Sequence, residues 1–316
     1  MIDYLHGAPV PCSLDVDWHH GSPSPEGDPG PRIQVHACTE HTLILRQNKS
    51  VHFEAPFLFL LFGNDRALLL DTGASEDAAH FPLRATVDAL TDQWLLRHPR
   101  ERYGLLVAHT HGHGDHVAGD AQFAGRPLTT VVGRDQEAVA GYFGLTDWPH
   151  RQGELDLGGR VVDLIPGPGH QSAAVVFHDR HTGLLLTGDS LYPGRIHVSD
   201  EAAFTATVER LLAFCADRPV THVLGCHIEM TTTPHVDYPR GTAYQPDEPP
   251  LQLTAGHLQR LRQALADGTD DPQGEFLVVT GCPRFRPRSA RSCRRAHPTP
   301  SSRSPHGPGR AAAPRR

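Results

Sequence analysis

The chain has 316 residues, 38% hydrophobic and 21% charged, with a formal net charge of −7. That is enough apolar material for a buried core, which excludes wholesale disorder. The longest apolar run, Phe57 to Phe62, is too short for a membrane-spanning helix, and no membrane partner is expected. Residues 1–34 are rich in Pro and Gly and read as a loose leader. They lack a charged segment followed by an apolar one, so no signal peptide is expected and the location is read as cytoplasmic.

From Val35 the pattern tightens into a domain expected over 35–280. Phe57–Phe62 and Ala67–Leu70 flank Gly63-Asn64-Asp65, a strand–turn–strand signal that ends in Asp71-Thr72-Gly73. Helical spacing within 76–97 (Phe81, Leu83, Val87, Leu90, Trp94) stops before Pro99. Leu105–Ala108 is a short buried strand that runs straight into HTHGHGDH at 109–116. A helix is expected to begin within 117–123. A strand at Thr129–Val132 and a helix at 134–143 follow. Arg160–Ile165 is a strand ending in Pro166-Gly167-Pro168-Gly169-His170. Ala173–Phe177 and Leu184–Thr187 form a hairpin that ends in Gly188-Asp189. An amphipathic helix over 201–216 precedes the strand Val220–Leu224 and then Gly225-Cys226-His227. A polar, Pro-rich stretch leads to a helix at 254–266 and a strand at 276–280. Interleaved helices and strands argue for a layered α/β domain.

The charge is divided unevenly. Residues 281–316 hold ten Arg and no Asp or Glu, which leaves 19 basic against 36 acidic residues in 1–280, a net −17. The tail is expected to be disordered and dispensable, and the acidic body opposes a nucleic-acid partner. The six Cys form no CxxC pair, and reduced thiols are expected.

Asp71, the 109–116 cluster, His170, Asp189 and His227 all fall just past the end of a predicted strand. Five such segments meeting at one sheet edge would form a pocket. Within the cluster, His111, His113, Asp115 and His116 carry metal-binding chemistry. Glycines at 112 and 114 let alternate side chains aim at different points. His111 with His113, and Asp115 with His116, can each begin a metal site. His170, Asp189 and His227 supply the missing ligands.

The motifs DTG (71–73), THGHGDH (110–116), PGPGH (166–170), TGDS (187–190) and GCH (225–227) stand in an order that resembles the metallo-β-lactamase-fold hydrolase superfamily, in its hydroxyacylglutathione hydrolase and lactonase-like branch. The resemblance spans residues 35–230 and implies a four-layer αββα sandwich with a metal site at one edge. It implies one metal on His111, His113 and His170, and a second on Asp115, His116 and His227, with Asp189 bridging and Asp71 orienting ligands. The two divalent ions are expected to be zinc, with iron or manganese as alternatives. The implied reaction is attack of a metal-activated hydroxide on a small ester, thioester or lactone. His113, where iron-using relatives carry an acidic residue, favours hydrolysis.

Asp115 is expected to orient the attacking water as well as bind metal. Tyr192 is read either as a donor to the substrate carbonyl, as in lactonase-like members, or as a packed side chain. His109 is read as a residue that supports the ligands or is simply structural, His222 and His235 as loop or surface residues, Glu229 as a solvated loop residue or else part of the pocket lining, and Cys226 as a buried small residue or else a soft metal contact. Residues 231–253 either fold over the site, with Tyr238, Arg240 and Tyr244 as substrate contacts, or form an ordered surface loop. The short helix at 254–266 does not give the larger helical domain of true hydroxyacylglutathione hydrolases. A nucleic-acid-processing phosphodiesterase is the alternative reading. The expected partner is a small-molecule substrate, and the sequence leaves the oligomeric state open.

Overall fold

A computed structural model describes residues 1–4 and 6–281 of the chain. All of the Arg-rich tail but Gly281 lies outside the described residues. In chain order the elements are β1 (Ile33–Thr39), β2 (Thr42–Gln47), β3 (Phe57–Phe62), β4 (Arg66–Leu70), α1 (Leu83–Arg97), β5 (Gly104–Ala108) and α2 (Gly114–Val117). There follow β6 (Thr129–Val131), α3 (Gln136–Phe143), β7 (Gly153–Asp156), β8 (Val161–Pro166), β9 (Val175–Asp179), β10 (Leu184–Gly188) and β11 (Arg195–Val198). The last are α4 (Glu201–Asp217), β12 (His222–Gly225), β13 (Gln252–Leu253), α5 (Ala255–Asp267) and β14 (Leu277–Thr280). The helix expected within 117–123 begins earlier, at Gly114, and continues as a 3-10 turn over Ala118–Phe123.

One six-stranded sheet runs β1-β2-β3-β4-β5-β6 and a second β13-β12-β10-β9-β8-β7, while β11 and β14 form a separate two-stranded sheet. Strand β3 shows how the two six-stranded sheets stack. All six of its residues are buried, because successive side chains point to opposite faces and both faces are covered. Phe57, Phe59 and Leu61 enter a core shared with Val162, Leu164, Phe177 and Leu186 of the other sheet. Leu58, Leu60 and Phe62 pack outward against Leu83, Val87 and Trp94 of α1. On the far side, Phe204, Val208 and Leu211 of α4 and Leu258 and Leu261 of α5 cover Ile165, Val176 and Leu185. The layers are helix, sheet, sheet, helix, as expected.

Arg160 ties the two sheets together. Its guanidinium, fully buried, donates to both Asp179 carboxylate oxygens (2.9 and 2.6 Å), to the carbonyls of His41 and Phe62, and to Thr42 Oγ1. His41, Thr42 and Phe62 belong to the first sheet and its turn, and Asp179 ends β9 of the second.

Residues 1–34, read as loose, are held along the domain. Tyr4 is buried, and Ile2 exchanges hydrogen bonds with the Asn64 side chain. Cys12 is disulfide-bonded to Cys38 of β1. That pair corrects the expectation of reduced thiols: the two cysteines lie far apart in sequence, so no spacing motif marks them. Cys215 and Cys226 are free.

Residues 231–251 form a strap pinned at both ends. Near its start Arg195 pairs with Glu229 and with Asp237 (2.6 Å), and donates to the Tyr238 carbonyl (2.8 Å). Near its end Glu248 accepts a bidentate pair from Arg46 (2.7 Å for each bond), with Lys49 at 3.4 Å. Burial, and then the neighbouring Arg46, push the Lys49 amine down to about 8.

Candidate metal centre

Strands β4, β5, β8, β10 and β12 end at the same edge, and each delivers a candidate site residue there. The loop after β8 is shaped by Gly169, whose φ of +134° excludes most side chains; a Cβ there would meet the backbone of Phe204. The Gly169 carbonyl accepts from the amides of Ser199 and Asp200, where Asp200 caps α4. The β8 loop is thereby stapled to a helix end, and His170 is held.

The structure brings all seven predicted ligand residues together. His111, His113 and His170 form one group of donors, and Asp115, His116, Asp189 and His227 form a second. Asp189 faces both. Its Oδ2 lies 3.9 Å from His111 Nε2 and 3.6 Å from His170 Nε2, while Oδ1 lies 3.5 Å from His116 Nε2 and 3.4 Å from His227 Nε2.

Whether this set fits metal ions is decided by where the ring protons sit. His116 Nδ1 donates to Asp71 Oδ2 at 2.9 Å. His170 Nδ1 donates to the His197 carbonyl at 2.8 Å, and His227 Nδ1 to the Glu54 carbonyl at 3.1 Å. Each neutral ring therefore presents a bare Nε2 to the centre. His116 Nε2 and His227 Nε2 face each other at 3.3 Å, and Asp115 Oδ2 lies 3.3 Å from both. His111 Nε2 and His170 Nε2 each lie 3.0 Å from His113 Nδ1. Asp189 Oδ1 is buried without a hydrogen-bond partner. Lone pairs converging with no donor between them fit a bound cation.

In the protein alone the carboxylates favour positive charge at this centre, carried by His116 and His227 as protons that a bound metal ion would displace. Burial alone would lower His116 and His227, but Asp189 raises both, assisted by Asp71 at His116 and by Asp115 at His227; His227 reaches about 9. Burial would raise Asp115 and Asp189, yet the neighbouring histidines hold both well below the usual carboxylate range. Burial and the neighbouring histidines hold His111 and His113 below the ordinary imidazole range, despite opposing carboxylates.

Asp71 supports this arrangement from below. Its backbone is left-handed, with φ +67°, a conformation that Asp tolerates better than most residues. The carboxylate also accepts from the Thr110 amide (2.7 Å) and hydroxyl (2.8 Å), and from Cys226 Sγ at 3.4 Å. His109 turns away, with Nε2 on Asp120 at 2.8 Å.

A cavity of about 680 Å³ opens on the donors, walled by Phe53, Glu54, Tyr192, His197, Pro239 and Arg240 among others. A larger cavity, about 840 Å³, lies between the leader and residues 246–252 and shares none of the donors. His222 lines it, while the His235 backbone amide donates to Gly274. The Tyr192 hydroxyl donates to the Arg195 carbonyl at 2.5 Å and lies 3.3 Å from Glu229. Of the two readings of Glu229, the structure gives the pocket lining: it borders the metal-side cavity and pairs with Arg195. Of the three strap residues named from sequence, only Arg240 reaches the cavity. Tyr238 Oη accepts from the Asp247 amide, and Tyr244 lies against His20. The Glu54 and His197 carbonyls went unseen in the sequence. They act through backbone atoms, which leave no residue-type signal.

The fold and this donor set define a class of metal-dependent hydrolases. A family model of the metallo-beta-lactamase superfamily matches residues 54–227, and the chain belongs to that superfamily. Curated relatives include a hydroxyacylglutathione hydrolase from Rhizobium meliloti, 31% identical over 43% of this chain and 55% of that protein. Another, from Methylococcus capsulatus, is 30% identical over 47% of this chain and 55% of that protein. The chain thus spans about half the length of the curated relatives it matches. Among solved structures, the DIM-1 metallo-beta-lactamase exposed to ceftazidime aligns with a TM-score of 0.50 at 12% identity, covering 76% of this chain and 99% of that one. That likeness bears on the fold alone. No helix among the described residues is long and apolar enough to cross a membrane.

Proposed function

We propose that this protein hydrolyses a small acyl substrate, a thioester in the first instance and an ester or lactone by the same chemistry, with two divalent metal ions, zinc by preference. The observation that carries this reading is the pair of donor groups sharing Asp189, each oxygen turned to a different group. The curated relatives named for hydrolysis of a hydroxyacyl thioester support the substrate class. His111, His113 and His170 would hold one ion, and Asp115, His116 and His227 the other, with Asp189 between them. Divalent ions bound there supply Lewis acidity and a water acidified toward neutral pH. Asp115, at the cavity wall, orients the attacking water by accepting its hydrogen bond. Asp71, His197 and Glu54 keep the imidazoles turned so that Nε2 faces inward.

The test is metal removal. Exhaustive chelation is expected to abolish thioester hydrolysis, and addition of two equivalents of zinc per chain to restore it. Full activity in metal-free protein would sink the reading. A parallel panel of a thioester, a lactone and a single-stranded RNA separates the substrate classes, and turnover of the RNA alone would favour the phosphodiesterase alternative.

Tyr192 belongs to the same proposal as a donor to the substrate carbonyl, which requires its hydroxyl to turn from the Arg195 carbonyl. Tyr192→Phe is then expected to lower kcat by up to about tenfold, the worth of one hydrogen bond, with metal content unchanged. Unaltered kinetics would leave the ring a packing role only.

A further inference from the structure

Two cations line the cavity above the metal donors, Arg195 and Arg240, and they stand in opposite situations. Both terminal nitrogens of the Arg195 guanidinium are engaged, by Glu229, Asp237 and the Tyr238 carbonyl. The Arg240 side chain is 80% exposed, and its one ion pair among the described residues is with Glu54 at 3.7 Å. A pair so long and so open holds little, so the guanidinium is available to something entering the cavity.

Its position is set by the backbone. The Thr242 amide donates to the Pro239 carbonyl at 3.1 Å, and Gly241 has φ +88°. This is a type II turn with Arg240 at its second residue and glycine at the third, where positive φ is required. The turn grows from a pinned stem: the Tyr238 amide donates to the Glu229 carbonyl at 2.8 Å, and Arg195 holds the Tyr238 carbonyl. Arg240 therefore stands on a fixed tip at the cavity wall. Glu54 measures how near that tip is to the donors. Its carbonyl receives His227 Nδ1, while its side chain faces Arg240. Phe53 and Pro239 supply apolar wall between.

From this we infer that Arg240 is a specificity residue that binds a carboxylate on the substrate, remote from the bond being hydrolysed. The inference rests on the hydrolase reading above. A planar carboxylate suits the guanidinium fork. Glu54, Glu229 and Asp237 line the same cavity and would repel a doubly charged phosphate more strongly.

The test uses matched compounds on the metal-loaded full chain: S-butyryl-N-acetylcysteine and its methyl ester, which share one thioester and differ by one carboxylate. Arg240→Ala is expected to raise KM for the acid about threefold to tenfold with kcat unchanged. KM for the methyl ester should move by less than twofold. Salt should raise KM for the acid in the wild type but not in Arg240→Ala, and Arg240→Lys should keep most of the salt effect. Equal changes on both compounds, or none, would overturn the inference.

A binding arm separates the two proposals. S-butyl-N-acetylcysteine, a thioether with no bond to hydrolyse, and its methyl ester are titrated calorimetrically. If the wild type cleaves neither thioester, the hydrolase reading fails on that substrate class. A carboxylate-dependent affinity lost in Arg240→Ala would still uphold the role of Arg240. Wild-type affinity for the thioether acid in Arg240→Ala, or no wild-type binding at all, overturns it.

Discussion

Asp189→Ala is expected to cut turnover by at least about 100-fold and to lower bound metal below two per chain. Losing a partner that merely orients a ligand already costs 10- to 100-fold in affinity or activity, and Asp189 does more. Its Oδ2 faces His111 and His170, and its Oδ1 faces His116 and His227. Removing the carboxylate takes a negative charge from the point where four imidazoles converge and uncouples the two donor groups. Asp189→Asn keeps the shape without the charge and is expected to lose metal almost as severely. Metal analysis beside kcat checks both, with circular dichroism to establish folding. Wild-type metal content and turnover in Asp189→Ala would end the two-ion proposal.

The largest effect on stability is expected from Arg160→Ala, about 3–5 kcal/mol of destabilisation, read as a lower denaturant midpoint. The cost arises from what remains. Asp179 is wholly buried, and burial would raise its carboxyl, yet Arg160 holds it below the usual range. Without the guanidinium, that carboxylate keeps Thr182 as its one close side-chain partner among the described residues, and the carbonyls of His41 and Phe62 lose a donor. Arg160→Met combined with Asp179→Leu removes both charges and is expected to be less destabilised than Arg160→Ala alone, because no unpaired charge stays in the interior. A double variant less stable than the single one would show that the geometry of the bonds, and not the buried charge, dominates.

Much of the site was legible because of how its strands end. Leu105–Ala108 running into HTHGHGDH, and Leu184–Thr187 running into Gly-Asp, are short apolar runs that give way at once to glycine, His and Asp, residue types suited to a metal site. A strand too short to be anything but buried announces where its end must be. The fold was legible from the same runs, with Phe57–Phe62 reading as a strand, and the structure buries it on both faces. The strands that the sequence reading did not place were β1 and β2, of seven and six residues, and β7, β11 and β13, of two to four. Strand β11 shows why: it pairs with β14, Ile196 opposite Val278, and a partner so distant in sequence leaves no local pattern. Arg195 and Glu229 were invisible as a pair for the same reason, and so was the disulfide between Cys12 and Cys38.

The sequence by itself determined the donor chemistry and the order in which it is delivered, since residue type and strand-end spacing are local properties. Tertiary structure alone decided which way each imidazole turns, because the acceptors for His170 and His227 are the backbone carbonyls of His197 and Glu54. It also decided which strap residue meets the cavity: a turn at Pro239–Thr242, pinned through Arg195, puts Arg240 there and leaves Tyr238 and Tyr244 on other partners. A hydrogen bond between distant segments exists only once the chain has closed on itself, and until then every carbonyl in the sequence is the same.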